Sequence, residues 1–161
     1  TPLSGGWADY AVVHEQGLRP VHRAPGLPLT ANLSVLGMTG LTAYFGVTDV
    51  LKAKEGETIV ISAAAGAVGS IAGQIAKQRG CRVIGIAGGP EKCAWLTDEL
   101  GFDAAIDYKN EDVGDALDRL APNGVDLNFE DAVGDIMIAV WNRLNVGAPR
   151  AGGGRISISA A

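Results

Sequence analysis

The feature that most constrains this chain is a junction. Five residues of near-continuous apolar character, Thr58-Ile59-Val60-Ile61-Ser62, run into the small-residue loop Ala63-Ala64-Ala65-Gly66-Ala67-Val68-Gly69 and then into a helical pattern from Val68 to Arg79. A run without polar alternation suits a strand covered on both faces, the environment of a parallel sheet. Beyond it, Val68, Ile71, Ala72, Ile75 and Ala76 recur at three- and four-residue spacing, and Gly80 stands where a helix would close. The loop fits A-x-G-x-x-G, with Ala64 in the first small position. Between a strand and a helix such a loop receives an anion. Gly66 lets the backbone approach a pyrophosphate, Gly69 lets the helix pack close to the strand, and the helix start presents free N–H groups. A glycine-rich turn with no ligand is the plainer alternative.

The alternation continues to the end of the chain. Arg82 to Ala87 reads as a second strand, Pro90 to Leu100 as a helix opened by proline and stopped by Gly101, and Ala104-Ala105-Ile106 as a third strand. Glu111 to Leu120 follows as a helix, Pro122-Asn123-Gly124 as a turn, Val125 to Phe129 as a fourth strand, Asp135 to Leu144 as a fourth helix and Arg155 to Ser159 as a fifth strand. Strands joined by crossover helices predict the α/β class, a doubly wound parallel sheet of the Rossmann, dinucleotide-binding kind. It is expected to be incomplete, one unit short of the six-stranded version. Residues 1 to 56 read differently. Trp7 to Val13 is expected as a strand, Pro20, Pro25 and Pro28 mark turns, and Ser34 to Leu51 is expected as a helix.

The 161 residues suffice for one core, and 23 glycines without a fixed period point to turns and close contacts rather than a fibrous repeat. No apolar stretch is long enough for a membrane span, and a net charge of −5 argues against a nucleic-acid surface. A cytoplasmic protein with small-molecule partners is the expectation. Cys81 and Cys93 form no C-x-x-C pair and are expected as reduced, partly buried small side chains. His14 and His22, both ahead of the periodic region, are not expected to be catalytic.

A site for the unphosphorylated dinucleotide normally ends its second strand in an acid that holds the ribose hydroxyls. Here that end reads Ile86-Ala87-Gly88-Gly89, and Glu91 lies past Pro90 in the first helical turn. Lys92 beside it, with Tyr108 after the third strand, could instead hold a 2′-phosphate by charge and hydrogen bonding. A solvated lysine and a surface tyrosine are the bland alternative.

Several runs together carry a family likeness: Gly37-Met38-Thr39-Gly40-Leu41-Thr42-Ala43-Tyr44-Phe45-Gly46, Glu55-Gly56-Glu57-Thr58, Ala63 to Gly69, Gly80-Cys81-Arg82-Val83, and Ala87-Gly88-Gly89-Pro90-Glu91-Lys92. In these the chain resembles the leukotriene/prostaglandin and alkenal double-bond reductases, zinc-independent members of the medium-chain dehydrogenase/reductase superfamily. The likeness runs from Gly6-Trp7 to Gly154-Arg155-Ile156-Ser157. It implies a two-domain enzyme about twice this length, with residues 1–33 ending a GroES-like substrate domain and 34–161 forming the NADP-binding domain. NADPH would deliver hydride to the carbon β to the carbonyl of an enone or enal, without a metal. By position, Gly66, Ala67, Val68 and Gly69 would hold the pyrophosphate, and Lys92 and Tyr108 the 2′-phosphate, beside Gly88. Met38, Thr39, Gly40 and Thr42 would lie near the nicotinamide, with Gly154, Ile156 and Ser157 on its other side. A homodimer is also implied.

The chain departs from the family pattern Phe-Glu-Asn-Val-Gly-Gly, having Phe129-Glu130-Asp131-Ala132-Val133-Gly134. Asp131 replaces an amide that can donate with an acceptor, which bears on its expected cofactor contact. A zinc-free quinone oxidoreductase is the alternative within the superfamily. A nucleotide-binding module without catalysis is the alternative outside it, because the groups that would position a substrate are not visible here. Tyr44 is expected mainly as core packing.

Overall fold

The computed structural model describes residues 8–18, 20–21, 23–145 and 154–158. Its centre is a five-stranded, all-parallel sheet with strand order β3-β2-β1-β4-β5. The strands are β1 (Thr58–Ile61), β2 (Arg82–Ala87), β3 (Ala104–Asp107), β4 (Leu127–Glu130) and β5 (Arg155–Ile158). The chain reverses direction across the sheet between β1 and β4, which makes the crevice above their carboxyl ends the expected ligand position of a doubly wound fold. Ser159, expected to end β5, lies outside the described residues.

Alternate residues of the central strands feed two cores. Ile59, Ile61, Val83, Leu127 and Phe129 pack on one face with α1 (Met38–Phe45), α2 (Gly69–Gln78) and α3 (Pro90–Asp98). Val60, Ile84 and Ile86 pack on the other with α4 (Val113–Leu120) and α5 (Asp135–Trp141). Both faces being covered explains why β1 and β2 show no polar alternation. Register is fixed by pairs such as Ile59 with Val83 and Ile61 with Phe129. The β4 to β5 edge is tied down by Arg155, whose guanidinium donates to the Leu51 carbonyl at 2.5 Å and pairs with Glu57 at 2.6 Å.

Two expectations for the amino-terminal part are corrected. Residues 8–13 form no strand, since no neighbouring strand offers them a ladder among the described residues; Trp7 lies outside those residues. The helix expected over Ser34 to Leu51 begins only at Met38, after a turn that ends in Gly37. From Gly46 it continues as a π-helical turn, Gly46–Val50. The π turn sits where Phe129 and Ser157 press against Gly46, so the helix widens at its closest approach to the sheet.

Candidate functional site

A cleft of about 360 Å³ opens at the carboxyl ends of the central strands, lined on one side by Ala63, Ala65 and Gly66, on the other by Gly88, Lys92 and Tyr108. Four of the residues read from sequence as cofactor contacts, Gly66, Gly88, Lys92 and Tyr108, therefore meet at one opening. Ala132 and Ile136, which were not singled out, close it from the α5 side. Tyr108 and Ile136 also line an adjoining depression of about 420 Å³ that runs on past Asp112, Val133 and Asp135.

The loop side is shaped by backbone. Ala63 adopts φ 44, a left-handed conformation that costs an L-residue about 1 kcal/mol or more and that recurs at ligand sites. It turns the chain sharply off β1, so that Gly69 at the start of α2 comes down on the loop. A Cβ at Gly69 would stand 2.7 Å from the Ala63 carbonyl oxygen and 2.9 Å from the Ala64 Cα, both immovable backbone. Val68 and Gly69 open the helix with no side-chain cap. Among the described residues the N–H groups of Ala67, Val68 and Gly69 have no backbone acceptor. Uncapped donors at a helix start are a ready seat for an anion.

The opposite rim is cationic and open. Lys92, in the first turn of α3, makes no ion pair among the described residues, and Tyr108 is 46% exposed. Gly88 is covered by the Tyr108 ring and the Lys109 side chain, each 2.9 Å from where a Cβ would be, so a side chain there would displace them. Asp107 at the end of β3 stitches this rim together, accepting from Gly89 N–H at 2.8 Å, Lys109 N–H at 3.1 Å and the Asn110 amide at 2.6 Å. Those bonds, the Gly89 N–H foremost, hold the Asp107 carboxyl below its usual range.

Beneath the cleft lies a buried polar cluster that sequence reading did not single out. Glu130 is fully buried at the end of β4 and accepts from Ser62 Oγ at 2.5 Å, Ala132 N–H at 2.8 Å and the Asn128 amide at 3.0 Å. Ser62 Oγ in turn accepts from the N–H of Asp131 at 2.7 Å and of Ala132 at 3.1 Å. Among the described residues, the Asn128 amide oxygen is the one buried side-chain polar atom without a partner. The signal was present: Ser62 directly follows the apolar end of β1, and Asn128 and Glu130 are the polar residues of β4, which the fold makes the neighbour of β1.

The remaining sequence-derived positions lie outside the cleft lining. Met38, Thr39, Gly40 and Thr42 sit on α1. Met38 is 75% exposed, Thr39 and Thr42 bond the carbonyls of Ser34 and Met38, and Gly40 is where the turn at Val35 crosses the helix. Ser157 on β5 is buried close to Gly46 and Phe129, which brings the far end of α1 beside β5. Ile156 pairs with Asn128 in mid-strand, whereas Gly154 stands at the amino end of β5 against Leu144, away from the cleft. Ala67, Val68 and Gly69 form the loop-to-helix turn, and Asp131 follows Glu130 directly at the cleft floor. Tyr44, expected in the core, is 52% exposed and stacks edge-on with Phe45. Both cysteines are unbridged; burial pushes the Cys81 thiol up to about 11 and raises Cys93, so neither is an activated nucleophile.

Residues 67–148, half of the chain, match the family described as zinc-binding dehydrogenase. That description names a metal, yet among the described residues no group of three or more His, Cys, Asp or Glu is placed to hold one, and Cys81 is turned to the Lys54 carbonyl. The chain is similar to the putative NADP-dependent oxidoreductase YfmJ of Bacillus subtilis, 51% identical over 86% of this chain and 41% of that protein. It is also similar to prostaglandin reductase 1 of Mus musculus, 46% identical over 84% of this chain and 42% of that protein. It thus spans about two fifths of the length of these relatives. Its fold superposes on the crystal structure of CurA in complex with NADPH from Vibrio vulnificus with a TM-score of 0.71, at 51% identity, over 74% of this chain and 35% of that one. Matched over half its length and folded as a doubly wound dinucleotide-binding sheet, the chain belongs to the zinc-binding dehydrogenase family.

Proposed function

We propose that this chain is the cofactor-binding part of a zinc-independent, NADPH-dependent reductase of α,β-unsaturated carbonyl compounds. The observation that carries the reading is the cleft at the carboxyl ends of the strands, which sets uncapped helix donors and Gly66 opposite Lys92 and Tyr108. Free N–H groups suit a pyrophosphate. An unpaired lysine beside a tyrosine hydroxyl suits a phosphomonoester, and the acid that would hold an unphosphorylated ribose is missing from the end of β2. The double-bond chemistry is supported by the prostaglandin reductase relative and by the sequence runs shared with alkenal reductases.

In this reading Gly66, Ala67, Val68 and Gly69 hold the pyrophosphate, and Lys92 and Tyr108 the 2′-phosphate. Met38, Thr39, Gly40 and Thr42 approach the nicotinamide from α1, with Ser157 and Ile156 of β5 beyond them and Asp131 at the floor. Gly154 stands at the amino end of β5, against Leu144. Residues 1–33 belong to the substrate domain and 34–161 to the NADP domain. When held here, NADPH would supply the hydride that reduces the β carbon of the enone. The chain's own work is to orient the dinucleotide.

The test uses the whole protein that carries this chain, with NADPH deuterated at the transferring position and either an enal or a quinone. Deuterium on the β carbon of a saturated aldehyde is the expected result. Turnover of the quinone alone, with no label in carbon, would replace this reading by the quinone oxidoreductase one.

A further inference from the structure

The proposed 2′-phosphate rim rests so far on Lys92 and Tyr108, yet a second lysine lies against Gly88, one of the residues lining that cleft. Lys109 follows Tyr108 on the turn after β3. Its side chain doubles back over Gly88, its Cε lying 2.9 Å from the point a Gly88 Cβ would occupy, beside the Tyr108 ring carbons at 2.9 and 3.0 Å. Lys109 is exposed, so its stem lies along the Gly88 backbone beside the cleft while its ammonium stays in water, available to a ligand. Lys109 makes no ion pair among the described residues. The nearby acid, Asp107, does not neutralise it by direct pairing: both carboxylate oxygens are taken up by the N–H groups of Gly89 and Lys109 and by the Asn110 amide. That same set of bonds fixes the turn carrying Lys109 against the turn carrying Gly88 and Gly89. From the other side, Gly88, Gly89, Glu91 and Lys92 line a shallow groove of about 190 Å³ at the start of α3, whose N-cap residue Gly89 has no side-chain cap.

We propose that Lys109 is a second cationic ligand for the 2′-phosphate, so that the phosphomonoester is held between Lys92 and Lys109 across the side-chain-free Gly88-Gly89 turn. Two lysines reaching from different elements select a dianion where one would tolerate its absence. A Cβ at Gly88 would meet the Tyr108 ring and the Lys109 stem, so a substitution there would have to move both side chains slightly. This inference rests on the NADPH reading above and adds a residue to it.

The test is titration of this chain with NADPH and with NADH, by calorimetry, in four forms: unaltered, Lys92→Ala, Lys109→Ala and Lys109→Arg. A charge-assisted contact predicts that Lys109→Ala weakens NADPH about tenfold and leaves NADH within about twofold, with Lys109→Arg restoring most of the preference. A preference unchanged in Lys109→Ala, in a chain that does prefer NADPH and loses that preference in Lys92→Ala, overturns the inference and leaves the cofactor reading standing. Equal loss of both cofactors in Lys109→Ala also overturns it, since that is the mark of a scaffold role. An unaltered chain that does not distinguish NADPH from NADH defeats the inference and the reading beneath it together.

Discussion

The two halves of the cleft are built in opposite ways. On the β1 and β4 side the chain buries a carboxylate and saturates it: Glu130, Ser62 and the N–H groups of Asp131 and Ala132 form a closed cluster under the floor. On the β2 and β3 side it leaves Lys92 and Tyr108 in solvent and spends its acid, Asp107, on joining two turns. Satisfied buried polar groups give one geometry, and exposed cations keep their charge available for a ligand. The floor should therefore answer to mutation in stability, and the rim in ligand selectivity.

That division can be broken at several points. Glu130→Ala removes the acceptor from three buried or part-buried donors and should cost about 3 kcal/mol or more in chemical denaturation; a stability within error of the unaltered chain would mean that the floor is held by packing alone. Gly69→Ala thrusts a methyl against the backbone of Ala63 and Ala64, at an expected cost of about 1–3 kcal/mol, and should weaken both dinucleotides alike by displacing the loop. Lys92→Ala should leave the melting temperature unmoved while lowering NADPH affinity about tenfold against NADH. A shared loss of both, or a loss of stability, would erase the contrast between floor and rim.

The smallest effect concerns a surface pair remote from the cleft. Burial acts to raise the Asp103 carboxyl, but hydrogen bonds from Lys77 and the Val83 N–H, with the charges of Lys77 and Arg82, outweigh it and hold the group below its usual value. A depressed carboxyl adds stability above its unfolded pKa near 4 and loses it as pH falls through the lower folded value. Asp103→Asn should accordingly cost under about 1 kcal/mol at pH 7, the pair being part exposed, and the difference should vanish well below pH 4 in parallel melts.

What was legible in the sequence follows the same line. The sheet was readable because β1 and β2 are buried on both faces, so their apolar runs carry the signal without help from distant residues. The glycine loop was readable because its chemistry is backbone chemistry confined to seven consecutive residues. The Glu130 cluster was not, since it joins positions 62, 128 and 130 through β1 to β4 pairing, which no local pattern encodes. Lys109 was missed for a related reason: its meaning depends on folding back over Gly88, 21 residues earlier in the sequence. The strand expected over Trp7 to Val13 did not form over its described part, residues 8–13, for want of a partner, and Tyr44 came out exposed because α1 and the π turn after it bring Ala43 and Val47, rather than their aromatic residues, onto the sheet.

The central claim is that the cleft above β1 and β4 takes NADPH, and backbone amide shifts of this chain on adding NADPH test it most directly. The expected result is a set of perturbed amides confined to 63–70, 87–92, 107–109 and 130–136. Saturable binding that instead perturbs the opposite end of the sheet, around Thr58, Arg82 and Asn123, or no perturbation at millimolar NADPH in a folded chain, would contradict it.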